Sequence, residues 1–366
     1  MTVRPYNPQQ APDDAGLAKE HQNQEARAIQ ASIKSAKDAT DKLTTDATAL
    51  TTRVTTAEGN ITTLNGQMTT ANGNISTLQG QMTTVNTTIG ELSGTNRLIN
   101  GDFRIDQRNA GASQTVTAAA ALAYCLDRWY AYCTGANTSV QQVLVNNKAR
   151  LRFTGAASVT GIGLGQRIEA TNSADLAGQS VMLQAKLSSS SLTTVSWALY
   201  YATTTNTFGT LASPTRTSIA SGSWTITSTE ALYTAAISVP SGAYTGLELV
   251  ITAGALLASQ TLTIGDVQLE YGTVATLFER LQYGTQLLLC HRYYYKGSAH
   301  RFLNFTAATA NVPVSIKWPT TMFAIPVVTW GATTAYTDQD QVTGYMNTAS
   351  STWADPSTTV AVAEIP

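Results

Sequence analysis

A heptad pattern within the first 92 residues constrains the fold of this 366-residue chain more than any other feature. From residue 29 onward, small or apolar residues recur at alternating intervals of four and three, with one polar exception at Thr40. This spacing places a stripe of side chains along one helix and is typical of a coiled coil. We therefore expect residues 29–95 to form a coiled-coil stalk, with a stripe roughly 95 Å long at 1.5 Å per residue. The stripe consists of Ile29, Ile33, Ala36, Thr40, Leu43, Ala47, Leu50, Val54, Ala57, Ile61, Leu64, Met68, Ala71, Ile75, Leu78, Met82, Val85, Ile89 and Leu92.

An internal repeat of 14 residues, which begins at residues 47, 61 and 75, supports this interpretation. It places Gly59, Gly66, Gly73 and Gly80 at heptad position f, on the outer surface. Each glycine costs about 1 kcal/mol relative to alanine, so the helix needs association to be stable. Positions e and g between residues 65 and 88 carry Asn, Gln and Thr, which favours a parallel homo-oligomer; the residues at a and d leave two or three strands open.

Composition excludes several classes of protein. Charged residues make up only 12% of the chain, with 22 Lys and Arg against 23 Asp and Glu, so the basic field that binds nucleic acid or anionic lipid is not expected. Three scattered cysteines predict neither a disulfide framework nor a zinc site, and we expect no cofactor. The N-terminus does not resemble a secretory signal, and no apolar run approaches 18 residues. We expect synthesis in the cytosol as a soluble chain, without membrane insertion.

Residues 1–28 predict an extended arm. Pro5, Pro8, Pro12 and Gly16 all disfavour a helix, because proline lacks an N–H donor and restricts the residue before it.

From Asn96 onward, apolar residues recur at every second position. Short alternating runs separated by Ser, Thr and Gly clusters are typical of an antiparallel sandwich or jelly roll, which we place at residues 96–284. The only helical pattern is a short turn between Thr285 and Tyr295. We therefore predict that residues 285–366 form a short linker and a small distal β-sandwich tip domain.

Two motifs carry a family resemblance. The stretch NRLINGDFRIDQRNAGAS at residue 96, followed by YCLDRWYAY at residue 124, resembles the opening of a module found in bacteriophage tail fibres and related tail receptor-binding proteins. The stretch IGDVQLEYGTVATLFERLQYGTQLLLCHRYY at residue 264 is similar to the closing segment of that module, with Leu277 in place of a proline and His291 in place of a glutamine. The N-terminal PYNPQQAPDDAGLAKEHQNQEARAI resembles short tail-attachment segments.

The resemblance implies a homotrimeric fibre with a carbohydrate-binding-module-like jelly roll, located in the virion and attached to tail or baseplate proteins through residues 1–28. In such jelly rolls a calcium ion can bind at positions that correspond to Asp102 and Asp266. Two carboxylates do not make a six-oxygen site, however, so we expect these residues to cap turns or pair with Arg104 or Arg128, and we predict no metal.

The sequence offers little catalytic chemistry. The three histidines, at positions 21, 291 and 300, assemble no triad, and the glycine run at residues 161–165 lacks the spacing of a phosphate loop and predicts a strand turn. A glycosidase would need two carboxylates at a fixed separation, and the sequence brings no particular pair together. The candidates are Glu230, Glu248, Asp266, Glu270 and Glu279. We therefore expect no enzymatic activity.

Aromatic residues near the C-terminus provide a better binding signal, because the apolar faces of sugar rings stack on aromatic side chains. The predicted glycan-binding residues are Trp318, Trp330, Tyr336, Tyr345 and Trp353. Nearby polar groups that could bind sugar hydroxyls are Asp338, Gln339, Asp340, Gln341 and Asn347. The alternative is that these aromatics fill a small core or an interface between copies.

These observations predict a virion structural and adhesion protein, a trimeric tail fibre that binds a bacterial surface polysaccharide through its distal β domains. The alternative is a tail-associated depolymerase that cleaves capsule or lipopolysaccharide.

Overall fold

A computed structural model describes residues 14–91, 96–118, 122–297, 302–303, 311–347, 353–354 and 358–366. The chain divides into two compact units, Met1–Leu92 and Ser93–Pro366. The sequence predicted four segments, 1–28, 29–95, 96–284 and 285–366. The structure places its one division near the predicted end of the stalk and keeps everything after it in a single unit.

The first unit contains one helix, α1, at Asp14–Glu91. Its apolar heptad residues lie on the surface of the single chain; the large ones between Ile29 and Val85 are 47–70% exposed. Gly59, Gly66 and Gly73 have open space where a side chain would lie, as expected for outer positions. Many threonines of the helix donate their hydroxyls to the carbonyl four residues earlier, as Thr62 does to Glu58, so these polar groups are satisfied within the helix.

The start of α1 corrects the predicted arm, because residues 14–28 are helical rather than extended. Pro5, Pro8 and Pro12 all precede Asp14, the first residue of α1. Residues 1–13 lie outside the described residues.

The second unit is built on a jelly-roll-like sandwich of two antiparallel six-stranded sheets, in the part of the chain that the structure describes. The first sheet has the order β1-β4-β5-β12-β7-β10, from Gln114–Val116, Thr138–Val145, Lys148–Thr154, Thr261–Tyr271, Ser180–Ser189 and Ala231–Ser238. The second sheet has the order β2-β3-β6-β11-β8-β9, from Ala123–Leu126, Trp129–Thr134, Gly161–Ile168, Leu247–Ala253, Thr194–Ala202 and Arg216–Thr225.

The core lies between these sheets and follows the period of two in the sequence. In β8, Val195, Trp197 and Leu199 are buried, whereas the intervening residues face outward. The opposing strands contribute residues such as Leu183 and Leu187, which are fully buried in the same cluster. The predicted β-sandwich is therefore present.

The two motifs that carry the family resemblance meet in the structure. Asn96 donates its side-chain amide to the carbonyl of Val267, and the Val267 N–H donates to the carbonyl of Gly101. A β-bulge in β12 between Gly265 and Gln268 leaves these groups available to the opening segment. Gly101 has no space for a Cβ, because the Val267 carbonyl oxygen occupies it. These hydrogen bonds thus join the opening motif to the closing motif within the sandwich.

The helical turn predicted near residue 285 is present as α2, Tyr283–His291. The strands that follow form a three-stranded sheet β13-β20-β16, a pair β14-β19 and a three-stranded sheet β15-β18-β17, among the residues described after α2. Their bounds are Tyr294–Gly297, Phe302–Leu303, Asn311–Lys317, Val327–Thr329, Thr333–Thr337, Gln341–Asn347, Trp353–Ala354 and Thr359–Val362 for β13 to β20.

The C-terminal segment is held firmly against the sandwich. Glu364 pairs with Arg128 and with Arg108, the latter at 2.6 Å, and all three side chains are largely buried. Ile365 packs with Phe208, Ala202 and Tyr293 in a small apolar cluster. These contacts cross the predicted domain boundary at residue 284 and explain why the structure contains one unit there.

Among the described residues, no helix is both long enough and apolar enough to span a bilayer.

Candidate ligand groove and candidate tip site

The glycine run at residues 161–165 lies in strand β6, where its three glycines all face outward from the sandwich. Ile162 and Leu164 between them are buried in the core. A Cβ at Gly163 would overlap the ring of Tyr132, and one at Gly165 would overlap the ring of Tyr130, both from the neighbouring strand β3. The glycines are therefore required because two tyrosine rings lie over the backbone of β6. The predicted turn is wrong, because the glycine run belongs to a strand whose outer face is covered by two tyrosine rings.

A shallow groove of about 400 Å³ extends from these rings across the outer face of the second sheet. Five residues that lie opposite one another on neighbouring strands form a row along the groove. They are Tyr132 of β3, Gly163 of β6, Thr252 of β11, Ser196 of β8 and Ser223 of β9. The adjacent row contributes Val250, Ala198 and Ser221. Small residues on the middle strands form the floor, and Tyr132 and Tyr200 form larger flanking groups.

Tyr200, one of the two flanking groups, lies next to a buried cluster of charged side chains. The guanidinium of Arg216 lies 4.1 Å from the ring centroid of Tyr200 and pairs with Glu248. Glu248 is fully buried; its other oxygen accepts hydrogen bonds from Arg167, at 2.9 Å, and from the hydroxyl of Tyr130, at 2.7 Å. Burial and then the charge of Glu248 raise the pKa of Tyr130 well above its usual value, so its hydroxyl stays protonated and remains the donor. This cluster fixes the position of Arg216 beside Tyr200.

The groove offers chemical groups that suit a polyhydroxylated ligand. Its serine and threonine hydroxyls, at Ser196, Ser221, Ser223 and Thr252, have no hydrogen-bond partner among the described residues and can both donate and accept. Tyr132 offers a half-buried ring for apolar contact, and Arg216 offers a cation fixed by Glu248. An aromatic face beside free hydroxyls suits a sugar, whose rings present apolar faces and hydroxyl edges.

Two of the five predicted tip residues share an exposed surface. Tyr336 on β17 lies opposite Thr343 of β18, and Tyr345 lies two residues further along the same strand, so both rings project from one face of the sheet. Tyr336 is 56% exposed and Tyr345 is 36% exposed. The charge of Asp338 and a hydrogen bond to it raise the pKa of Tyr336. Pro313, Ser315 and Thr343 line a shallow depression on this sheet.

Two of the three predicted tryptophans, Trp318 and Trp330, have other partners in the fold. Trp318 is buried in the small C-terminal core and packs against Tyr295, with ring centroids 5.6 Å apart. Trp330 is half-buried, fills the space beside Gly344 that a Cβ would need, and donates its Nε1–H to the hydroxyl of Thr334. For Trp353 the structure describes only the backbone, which pairs with Leu303. A glycan-binding role for the five residues stays a prediction.

Most of the polar residues predicted to bind sugar hydroxyls instead form hydrogen bonds that stabilise the turn in which they lie. Asp338 accepts the N–H groups of Asp340 and Gln341, and the side-chain amide of Gln339 donates to the carbonyls of Met322 and Phe323. Asp340 accepts the hydroxyl of Thr321 at 2.6 Å. These groups hold the turn in place, and the side chain of Asn347 lies outside the described residues.

The carboxylates considered for glycoside cleavage are mostly held by cations. Glu230 and Asp266 share Arg150, and Glu248 lies between Arg167 and Arg216. The hydrogen bond from Arg150 lowers the pKa of Glu230. Burial tends to raise the pKa of Asp266, but the hydrogen bond from Lys186 and the charges of the neighbouring cations outweigh it, and the pKa is lowered.

The remaining two candidates also have structural partners. Glu270 accepts hydrogen bonds from the N–H and the hydroxyl of Thr276, and Glu279 accepts the N–H of Asn96 at 2.8 Å. Of these five carboxylates, Glu248 pairs with a residue that lines the groove, Arg216.

The positions considered for calcium are likewise occupied by guanidinium groups. Asp102 pairs with Arg104 and Arg280, and Asp266 pairs with Arg150, Lys186 and the same Arg280. Pairing of Asp102 with Arg104 is the alternative that the sequence favoured. Within the described ranges, no group of three or more His, Cys, Asp or Glu side chains is arranged to hold a metal ion.

Sequence reasoning missed the groove because its residues come from five strands that are distant along the chain. One signal was available: glycines at every second position, with apolar residues between them, indicate a strand whose outer face is covered closely by something else. The identity of that cover, Tyr130 and Tyr132, depends on strand pairing.

Comparisons with known proteins give limited information. No protein-family model matches the chain, and no curated protein matches it significantly. A family 16 carbohydrate-binding module is similar in structure over 36% of this chain and 84% of its own, with 14% identity and a TM-score of 0.25. The enzymatically active domain of tailspike protein 4 of bacteriophage CBA120 is similar over 49% of this chain and 22% of its own, with 12% identity and a TM-score of 0.29. A cyclase from Fischerella is similar over 50% of this chain and 98% of its own, with 12% identity and a TM-score of 0.32. Scores and identities this low assign no function.

Proposed function

We propose that this chain is a virion adhesion protein, a homotrimeric bacteriophage tail fibre that binds a glycan of the host surface through its second unit. The groove on the second sheet carries the proposal. It combines an aromatic flank, a floor of free hydroxyls and a fixed guanidinium, which together suit a sugar chain lying across a sheet. The groove is shallow, so useful affinity would come from several copies acting together.

The helix supports the oligomeric part of the proposal. The large apolar residues of the stripe between Ile29 and Val85 are 47–70% exposed, which is unfavourable for a lone chain in water. A parallel coiled coil buries that stripe, and the uncharged e and g positions allow identical chains to associate. The resemblance of the motifs at residues 96 and 264 to tail-fibre modules favours three copies and a location in the phage tail.

A binding role is favoured over a catalytic one by the electrostatics of the groove. Glycoside cleavage needs a protonatable acid and a second carboxylate at a fixed distance. Glu248 is buried beneath Tyr130 and paired with two arginines, so it is poorly placed to donate or accept a proton from a ligand.

The first test measures binding by alanine variants of the two candidate surfaces. We expect Tyr132→Ala and Tyr200→Ala to weaken binding in a glycan array and adsorption to host cells, because each removes a ring that flanks the groove. A lost stacking contact costs about 1 kcal/mol per site, and simultaneous binding by three copies multiplies the loss. The double variant Tyr336→Ala/Tyr345→Ala measures the tip surface in the same assays. Tyr244→Ala is the matched control, since Tyr244 is 60% exposed and lies on neither surface.

Thermal melting of each variant separates lost binding from lost folding. Weaker adsorption with melting equal to that of Tyr244→Ala supports a binding surface. Normal adsorption by all the groove and tip variants would reject glycan binding by these faces. Release of reducing sugar from host polysaccharide by the unaltered chain would reject a purely adhesive role.

The N-terminal segment gives a second test of the proposal. We propose that residues 1–28 attach the fibre to tail or baseplate proteins, on the basis of their resemblance to tail-attachment segments. Deleting residues 1–13 leaves α1 intact, so we expect trimers and cell binding to persist while fibres disappear from assembled particles. Immunodetection of the truncated chain on purified particles at the normal level would contradict this attachment role.

A further inference from the structure

The charge balance of the groove on the second sheet indicates which class of sugar it suits. Of the described residues that line the groove, Arg216 is the only charged one, and its side chain is 16% exposed. The others are aromatic, aliphatic, hydroxyl-bearing or glycine residues. A ligand that lies in the groove therefore meets one guanidinium and no carboxylate on the described lining.

The cluster of Glu248, Arg167, Arg216 and Tyr130 next to the groove carries more positive than negative charge. Glu248 pairs with both Arg167 and Arg216. Its remaining partner, the Tyr130 hydroxyl, is a neutral donor. One carboxylate thus balances one of the two guanidinium groups, and a single positive charge remains.

Arg216 is the arginine of this cluster that can pair with a ligand. Arg167 is 4% exposed, and its two terminal nitrogens donate to the carbonyls of Ile365 and Gly209. Arg216 donates to Glu248 through Nη1, and no described residue accepts a hydrogen bond from its Nε or Nη2. These two nitrogens lie along one edge of the planar group, an arrangement that binds both oxygens of a carboxylate.

The positive charge of Arg216 extends to the opposite flank of the groove. Burial raises the pKa of Tyr132, and the charge of Arg216 opposes this rise more strongly than the charge of Glu248 adds to it. The combined field of Arg216 and Glu248 at Tyr132 is therefore positive. An anionic ligand is favoured along the groove as well as at Arg216 itself.

We infer that the groove binds an acidic polysaccharide, with the carboxylate of one sugar unit paired to the free edge of Arg216. This inference rests on the proposed glycan-binding function and adds the chemical class of the glycan. The single surplus charge matches the single charge of a uronic acid unit. Strands lie about 4.8 Å apart, so the row from Tyr132 to Ser223 spans about 19 Å and leaves its hydroxyls for neighbouring sugar units. Arg216 is thus a specificity-determining residue.

Paired oligosaccharides on a glycan array test the inference with the full chain. Each pair has one linkage and one ring stereochemistry, with a hexuronate in one member and the parent hexose in the other. The pairs are glucuronate and glucose, galacturonate and galactose, and mannuronate and mannose. We expect at least one acidic member to bind about tenfold more tightly than its neutral partner. Raising the salt concentration should weaken only the acidic member, because salt screens partly exposed charges.

Substitutions of Arg216 separate its charge from its shape. Arg216→Gln should lower binding of the acidic member to the level of its neutral partner, a loss of about tenfold, and Arg216→Lys should give intermediate binding. Glu248 keeps Arg167 and the Tyr130 hydroxyl as partners in these variants. Arg152→Gln is the matched control, because Arg152 lies on β5 of the first sheet and donates to Thr263 outside the groove.

Lost preference for the acidic member in Arg216→Gln, with melting equal to that of Arg152→Gln, supports the inference. It is overturned if a folded Arg216→Gln keeps the preference, if neutral members bind the unaltered chain as tightly, or if no acidic member binds. Continued adsorption to host cells would then leave the proposed adhesion role standing, whereas loss of adsorption as well would reject both. If Arg216→Gln does not fold, the salt dependence of the unaltered chain decides: binding of the acidic member that salt does not weaken overturns the inference.

Discussion

Replacing Ile61 and Ile75 by aspartate should abolish oligomer formation. Both residues occupy position a of the predicted coiled coil and are more than half exposed in the single chain. In a trimer the double variant would bury up to six carboxylates without partners, and burial of an unpaired charge is strongly unfavourable. Sedimentation should show a monomer for Ile61→Asp/Ile75→Asp and a trimer for the unaltered chain.

The matched control places the same charges on the outside of the helix. Gly59 and Gly73 lie at position f, with open space around them, so Gly59→Asp/Gly73→Asp should remain trimeric. An unaltered chain that sediments as a monomer would overturn the coiled coil. Equal loss of association in both double variants would show that helix charge, rather than the apolar stripe, governs assembly.

Removing the carboxylate of Glu364 should destabilise the second unit by about 3–5 kcal/mol, the usual cost of leaving one member of a buried ion pair alone. Glu364 pairs with Arg108 and Arg128, and the Arg128 side chain is 1% exposed. Arg128 also lies 3.5 Å from the ring centroid of Tyr293, so water has little access to the guanidinium after the substitution. Denaturant unfolding of Glu364→Ala, followed by tryptophan fluorescence, measures the loss.

An exposed ion pair in the same unit provides the comparison. Asp175 is 59% exposed and pairs with Arg97 at 2.5 Å, so Asp175→Ala should cost less than about 1 kcal/mol. If Glu364→Ala is no less stable than Asp175→Ala, the buried pairs do not anchor the C-terminal segment.

The periodicities in the sequence predicted the main elements well, because they depend only on neighbouring residues. Alternating residues such as Val195, Trp197 and Leu199 correctly indicated a strand with one buried face. The start of α1 was misplaced because Gly16 was grouped with the prolines, although a single glycine near a helix end is tolerated.

The candidate surfaces were harder to predict because they depend on which strands become neighbours. Tyr336 and Tyr345 were chosen for their residue type, and the pairing of β17 with β18 placed them on one face. The same reasoning could not distinguish Trp318, whose ring is in the core, from an exposed aromatic. The groove depends on Tyr132 lying over Gly163, a contact between strands that local pattern does not specify.

The bond between Asn96 and Val267 has a consequence for the order of folding events. It closes a loop of 171 residues, and the pair formed by Arg128 and Glu364 closes one of 236 residues. Closing long loops costs chain entropy before the contacts compensate for it, so such topologies form slowly, whereas a helix propagates within about a microsecond. In the proposed trimer, the helices of three nascent chains would therefore associate before their β units have formed these contacts. Association of the helices raises the local concentration of unfolded β strands. Correct assembly then depends on each β unit forming the contacts between its own first and last segments faster than it exchanges strands with its neighbours.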